Sequence, residues 1–548
     1  MQLQRTLGGI SLCSPAPRIE SNSGLERYAL KAQNQILQSL GVVAATYAIL
    51  NPVAQAERTV GLLQHSGEID QSYKLFPPLN STSTYLIDTD GRLVRSWESE
   101  LPPGVSAYLL EDGSLLRAGK PAGNSDFVAG GEAGQVERFN WDGTLAWSFR
   151  YSEPGLYKSH HDIQPLPNGN VLILAWEMKS EQECLDVGRA PGTLKSGELW
   201  PEHVIEVMPT GFDSGEIVWE WHVWDHLIQD HDSLLPNYGQ PMDYPNRMDI
   251  NYSADNNADW LHANAIHYNT ELDQIMLSLH RLGEIWIIDH DTTTEQAAGP
   301  AGDLLYRWGN PQVYNRDAEA SDRTFFGQHD ARWIQNGQPG HGNIMVFNNG
   351  RDRPEGDYTT IDEFTPPLLF DGTYQIGDDG MYGPEDVEIA YIADPPTSFY
   401  ASFISGAQRL QNGNTFICSG PWGEFFEVTP SGQTIWLYKN PVTSNGILSQ
   451  GELPDNQGSS STNNRTFRCT LYAADFAGFE GKDMTSGLPI ETYTGPCLAD
   501  LDGDGDIGVN DLLSLLNAWG TGAGDIQGDG RTDIDDILLI LGGWGNCP

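Results

Sequence analysis

Basic residues are scarce. Lys and Arg number 30 against 75 Asp and Glu in 548 residues, a formal charge of −45 at pH 7. Phosphate contacts need clustered Lys and Arg, so nucleic-acid binding is excluded as a class, and so is whole-protein attraction to an anionic membrane. A balance this acidic favours solubility, cations or a saline environment, and says nothing about fold. Cysteine is also sparse: six residues, none in a CxxC pair. That excludes a disulfide-built miniature scaffold, and with it a zinc ribbon or thioredoxin-like site. No apolar run reaches the ~18 residues of a membrane span, so no transmembrane anchor is expected. Disorder is excluded in turn, because 39% of residues are hydrophobic and 10% aromatic, with 60 Gly and 33 Pro marking many turns.

An export signal is expected near the N-terminus. Arg27 and Lys31 precede the apolar stretch 36–50, and Ala54-Gln55-Ala56 offers an A-x-A cleavage site. Residues 1–25 read as a long polar n-region or a misassigned start. The mature chain would begin near Glu57 and be periplasmic or extracellular. Residues 57–491 are expected to form one large domain, 492–496 a linker and 497–548 a small second domain.

From Thr59 to about Tyr438 one unit keeps returning. A strand meets an Asn-Gly or Asp-Gly turn, as in LLEDGSLL (109–116), PLPNGNVLIL (165–174) and RLQNGNTFIC (409–418). A second Gly turn then leads into a strand ending in Trp, as in DGRLVRSW (90–97), DGTLAW (142–147), SGEIVWEW (214–221), GDLLYRW (302–308) and SGQTIW (431–436). Such turns supply the positive φ of tight hairpins. Flanking runs lack a 3.6-residue period, so the class is all-β. A four-stranded unit repeated at tens of residues predicts a β-propeller over a β-sandwich array, with its terminal tryptophans packed between blades. Long inserts around 180–215, 222–258 and 350–400 are expected to form loops on one rim.

The last fifty residues carry different chemistry. Residues 500–511 (DLDGDGDIGVND) and 525–536 (DIQGDGRTDIDD) both fit a twelve-residue calcium loop. The expected ligands are Asp500, Asp502, Asp504, the Asp506 carbonyl and Asp511 in the first loop. In the second they are Asp525, Gln527, Asp529, the Arg531 carbonyl and Asp536. Hard oxygen donors at this density suit Ca²⁺ and not zinc. Each loop runs into an apolar helix, 512–519 and 537–544. Paired loops in one short module resemble a type I dockerin, which implies docking to a cohesin-like partner. Cys497 and Cys547 bracket the module and are placed to clasp its ends.

Several histidines stand at strand ends: His160 and His161 in KSHHDIQ, His262 and His267 in WLHANAIHYN, His280 in LSLHRLG, and His329 in FGQHDAR. His161, His262 and His329 start innermost-strand positions, which in a propeller converge on the central channel. A metal site is one reading of such a cluster, although there is no HExxH, and His222 and His226 at i, i+4 gain no third ligand. The segments HHDIQPLPNGNVLILAWE, DWLHANAIHYN, EIWIIDHDTTTEQAAG, DLLYRWGNPQ, FFGQHDARWI and SGAQRLQNGNTFICSGPWGEFFEVTPSG together resemble bacterial aryl-sulfate sulfotransferases over residues 59–491. The resemblance implies a six-bladed propeller in which a histidine takes the sulfuryl group of a phenolic sulfate ester and passes it to a phenol, with no nucleotide donor and no cofactor for the transfer. It assigns the nucleophile to His329, and assigns sulfate contacts and proton shuttling to His161, His262 and Asn264. His280 stands where the family carries Arg, with Arg281 one residue on, and in a regular strand the two face opposite sides. The competing readings are a non-catalytic ligand- or protein-binding propeller and a metal-dependent hydrolase or sulfatase. Cys418 is expected to be buried packing, and Cys184 and Cys469 are a possible pair.

Overall fold

A computed structural model describes residues 58–66, 69, 71–252, 257–385, 387–458, 460–492, 499–502, 504–521, 524, 526, 532–542 and 544–546. The export segment, Cys497, Cys547 and loop residues Asp525, Gln527, Asp529 and Arg531 lie outside them.

The hairpin units become six antiparallel sheets, four of four strands and two with a fifth strand added, arranged as a six-bladed β-propeller. The inner strands of blades 2–6 are Pro103–Leu109, Tyr157–Pro165, Ala263–Asn269, His329–Trp333 and Gly406–Arg409. Each Asn-Gly or Asp-Gly turn of the first kind joins an inner strand to its neighbour, for example Leu109 to Leu115 and Pro165 to Val171. Each turn of the second kind delivers the outer strand. Both chain ends complete the ring. Gly61–His65 pairs with Thr434–Lys439 as a fifth, outermost strand of blade 6. Thr470–Ala473 pairs with Ser72–Phe76 as the inner strand of blade 1.

The terminal tryptophans latch neighbouring blades together. Trp97 Nε1 donates to Asn140 O of blade 2 (3.1 Å), Trp147 to Ser214 O of blade 3 (2.9 Å) and Trp221 to Gly302 O of blade 4 (2.8 Å). Trp308 donates to Pro384 O of blade 5 (3.0 Å), and Trp436 to Thr89 O of blade 1 (2.7 Å). All five rings are at most 7% exposed. Each buries an apolar area worth roughly 4–6 kcal/mol as an upper estimate, with its polar atom satisfied. Blade 5 has no such tryptophan. Its outer strand, Glu388–Ile392, instead sets Tyr391 6.0 Å from Phe426 of blade 6.

Three sequence expectations need correction. The 180–215 and 350–400 inserts are not all loop, since they contain the blade strands Glu202–Pro209, Thr360–Phe364 and Glu388–Ile392. His222 and His226 do not share a helix face: His222 ends a strand and His226 closes a 3₁₀ turn, bonded to Asp303 Oδ1 and Ala297 O at 2.9 Å each. Cys184 and Cys469 are free thiols buried in different clusters of the core, Cys469 packing with Cys418 and not with Cys184.

Residues Glu57–Gly495 form one compact unit, and residues from Pro496 on belong to another. In the latter, helices Val509–Asn517 and Ile534–Gly542 begin three residues earlier than expected, inside the last turn of the segments 500–511 and 525–536. No helix among the described residues is long and apolar enough to cross a membrane.

Candidate active site

The inner strands carry a conformational signature. Val105, His161, His262, Asp330 and Ser405 take positive φ (83°, 51°, 52°, 52° and 91°), within or just before the inner strands of blades 2 to 6, and Ile404 beside Ser405 does so as well (47°). Side chains other than Gly avoid this region, and such residues gather where the fold over-determines them for a task. Strand register shifts at the same places, between Ser159 and Ile163, Ala263 and Ala265, and His329 and Arg332. The kinks turn the histidines of blades 3, 4 and 5 toward one another.

The result is a continuous file of imidazoles. Ring centroids are 5.2 Å apart for His160–His161, 4.6 Å for His161–His262, 5.3 Å for His262–His280 and 5.2 Å for His280–His329. Phe467 backs the file, 6.0 Å from His161 and 6.5 Å from His329.

His329 is held in a defined tautomer. Its Nδ1 lies 2.8 Å from Asn349 Oδ1 and 3.2 Å from Gly327 O, both acceptors, so Nδ1 carries the proton. The amide of Asn349 cannot flip, because its Nδ2 donates to Ala401 O (2.6 Å) and Ile404 O (3.0 Å). Nε2 keeps its lone pair and accepts a 3.2 Å bond from Ile404 N. Burial brings the imidazole down to about 3, so the ring is neutral at physiological pH.

The other expected residues surround it. His262 Nδ1 sits 2.5 Å from Asp259 Oδ2. Burial raises that carboxyl, but His262 and Arg281 outweigh it and hold Asp259 below the ordinary range. His280 and Arg281 do not alternate, because their strand ends at Leu279 and both lie in the following turn. His280 stands between His262 and His329, while Arg281 Nη2 reaches Asp259 at 3.5 Å. Asn264 is buried with its Nδ2 donated to Gln328 O (2.8 Å), leaving Oδ1 unpartnered. Its amide therefore ties blade 4 to blade 5. Burial first, then neighbouring imidazoles, pushes His161 and His280 well below the ordinary histidine range.

Several participants escape a sequence reading. Gly131 lies on the face of His161, where a Cβ would fall 2.2 Å from Nε2, and its φ is +74°. Arg468, just ahead of the inner strand of blade 1, binds Asp162 Oδ2 (2.7 Å), Tyr108 Oη (2.9 Å) and Asn264 O (3.4 Å), with Nε 3.0 Å from Asp330 Oδ1. It spans blades 1 to 5 and is spent on structure. Arginines also collect near His280. Arg281 and Arg351 act on its charge, Arg351 Cβ is 3.7 Å from a Cβ built on Gly327, and Arg323 and Arg353 share the Phe326 ring at 4.9 and 5.4 Å. A cleft of about 280 Å³ lined by Gln338, Gln408 and Leu410 lies at the far ends of inner strands and holds no histidine.

In the C-terminal module, carboxylate oxygens of Asp500, Asp502, Asp504 and Asp511 lie within 4.8 Å of one another. Gly505, at the sixth position, has φ +87°. Asp511 accepts from Leu501 N and Gly508 N (2.6 Å each), and Asp536 accepts from Ile526 N (2.7 Å) and Asp533 N (2.8 Å). These are loop positions 2 and 9 in both cases, so the two loops close by the same bonds. Burial and the neighbouring carboxylates raise Asp502. A hard divalent cation fits this donor set.

No curated protein matches the sequence significantly. Among solved structures, a protein of unknown function from Bacteroides caccae is 11% identical, with 73% of this chain and 98% of that one covered at a TM-score of 0.36. Virginiamycin B lyase from Staphylococcus aureus is 10% identical, with coverages of 70% and 89% and a TM-score of 0.32. The sequence also matches the family described as Arylsulfotransferase (ASST) over residues 78–457. With more than half of its length inside that match, the chain belongs to the arylsulfotransferase family.

Proposed function

We propose that the propeller transfers a sulfuryl group from an aryl sulfate to a phenol through a sulfo-histidine at His329. The observation that carries this reading is a neutral imidazole with Nδ1–H fixed on Asn349 and its Nε2 lone pair kept to accept from Ile404 N. Nε2 attacks sulfur in line, the S–O bond to the aryl group breaks, and a phenol then takes the group in the reverse sense. Splitting one transfer into two gives ping-pong kinetics. The Ile404 N–H leaves Nε2 as it attacks and becomes a donor to a sulfuryl oxygen. His161, His262, His280 and Arg281 are the remaining sulfate contacts, and charge spread over three peripheral oxygens is what such donors stabilise. An aryl donor suits the site because a phenolate, near pKa ~10, leaves far more easily than an alkoxide.

The C-terminal module is read as a dockerin-like, calcium-folded attachment to a cohesin-like partner on an exported enzyme. Asp500, Asp502, Asp504 and Asp511 would hold the first ion, whose role is to organise the module. Apolar residues exposed at one 25-residue offset, Val509 and Ile534, Leu516 and Leu541, Trp519 and Trp544, form a repeated surface for that partner.

The test is turnover of a chromogenic aryl sulfate with and without an added phenol. Phenolate release that accelerates with acceptor, with sulfate on the acceptor and none after His329→Ala, is expected. Release indifferent to acceptor indicates a sulfatase, and no release from several donors overturns the enzymatic reading.

A further inference from the structure

His160 and Glu202 have no part in the scheme above, yet they meet its chemistry at the innermost end of the imidazole file. Glu202 is 0% exposed, and among the described residues no Lys or Arg pairs with it. Its Oε1 accepts from Ala263 N (2.8 Å), and its Oε2 lies 2.7 Å from His160 Nε2. His160 stacks on Trp176 at 3.8 Å, which fixes the ring plane. Its Nδ1 is 2.9 Å from His161 Nδ1. Two imidazole nitrogens at that distance share one proton, so the tautomer of His160 dictates that of His161. His161 Nε2, the outer end of the line, bonds no described residue.

We propose that Glu202 and His160 form a proton store that acts through His161, deepening the sulfuryl-transfer reading on which it rests. In the resting state Glu202 is a carboxylic acid donating to His160 Nε2. His160 Nδ1–H then donates to His161 Nδ1, and His161 presents Nε2–H to the substrate. Burial favours these neutral forms, raising the carboxyl and lowering His160.

The balance closes within the site. As the His329 Nε2–S bond forms and the S–O bond breaks, the electron pair passes to the phenolate oxygen. That oxygen takes the proton of His161 Nε2. His161 Nδ1 takes the proton of His160 Nδ1, and His160 Nε2 takes that of Glu202, which becomes a carboxylate. Every tautomer is now reversed, so His161 Nε2 carries a lone pair. When the acceptor phenol attacks sulfo-His329, its proton returns along the same line to Glu202. One proton is lent in the first half-reaction and recovered in the second. His161 is the catalytic residue, while Glu202 and His160 are positioning residues.

Glu202→Gln keeps both bonds of the resting state, since the amide oxygen accepts from Ala263 N and the amide N–H donates to His160, but it releases no proton. Single-turnover desulfation of phenyl sulfate is expected to slow roughly 100-fold or more, the scale of general acid catalysis. With 4-nitrophenyl sulfate, whose phenolate needs no proton, the loss should stay under about threefold. Equal losses on both donors, or none, overturn the relay. An infrared difference spectrum of wild type against the variant at neutral pH needs no turnover. A protonated-carboxyl band lost in the variant supports the assignment, and its absence overturns it. A wild-type chain inactive on every aryl sulfate sinks the transferase reading, while the infrared band still decides whether Glu202 holds the proton.

Discussion

Replacing Asn349 by Leu separates orientation of the nucleophile from its presence. The substitution deletes three hydrogen bonds: the acceptor for His329 Nδ1–H at 2.8 Å, and the donors to Ala401 O and Ile404 O. Gly327 O remains 3.2 Å from Nδ1, so the tautomer is weakened and not reversed. Losing the better acceptor is worth roughly 1–3 kcal/mol, which converts to a roughly 5- to 150-fold slower sulfation of His329. The two orphaned carbonyls cost stability on the same scale. Pre-steady-state release of phenolate measures the rate, and thermal melting measures the fold. Asn349→Asp is the control that isolates electrostatics. It keeps an acceptor but adds a negative charge beside Nδ1–H, so His329 should rise from about 3 and the acid limb of activity should move up with it. A folded Asn349→Leu protein with unchanged burst rate, or an Asn349→Asp protein with an unmoved acid limb, would refute the idea that the tautomer of His329 is set here.

Three further outcomes are expected. Arg468→Met leaves Asp162 buried without its cation while Asp330 keeps Arg332, which should cost about 3–5 kcal/mol and appear as a large fall in melting temperature. His203, His267 and His329 are each held by burial at about 3, against ~6.5 in an unfolded chain, so the folded state binds fewer protons between those values. Their contribution is complete above pH ~6.5 and falls by up to about 1.4 kcal/mol per unit per histidine on acidification, so a melting temperature level from pH 7 to pH 4 would contradict it. Chelation of calcium should loosen the C-terminal helices in amide exchange and leave aryl sulfate turnover unchanged, and a parallel loss of turnover would argue against separate roles for the two units.

An anionic substrate must approach a chain that carries −45. Long-range repulsion is screened beyond ~8–10 Å at physiological salt, so the field that matters is local. The cations that act on His280 are Arg281 and Arg351, each standing beside a carboxylate, Asp259 and Asp352. Arg351 is 59% exposed in its side chain and can meet substrate early. Burial holds His161, His280 and His329 below the ordinary histidine range, which avoids the cost of burying charge there before the substrate arrives. In the proposed scheme, capture by exposed Arg351 and attack by the neutral, buried His329 thus fall to different residues.

The blade plan was legible because its signals are local. Each Asn-Gly or Asp-Gly turn lies between the two strands it joins, and each second Gly turn lies within ten residues of its closing Trp, so they mark the hairpins that form. What stayed hidden depends on chain segments that meet only in the ring. Asn349 lies 20 residues from His329, Glu202 42 residues from His160, and Arg468 306 residues from Asp162. The paired histidines show a subtler limit. In a regular strand His160 and His161 would face opposite sides, and the same rule set His280 against Arg281. Neither stretch is regular. His161 has φ +51° in a register shift, which turns the two Nδ1 atoms together, and the strand before His280 has already ended at Leu279. Alternation is a statement about pleated backbone, and it fails where the backbone is bent to build a site. Two polar, titratable neighbours at the entry of an inner strand are therefore a reason to look for a kink that joins them.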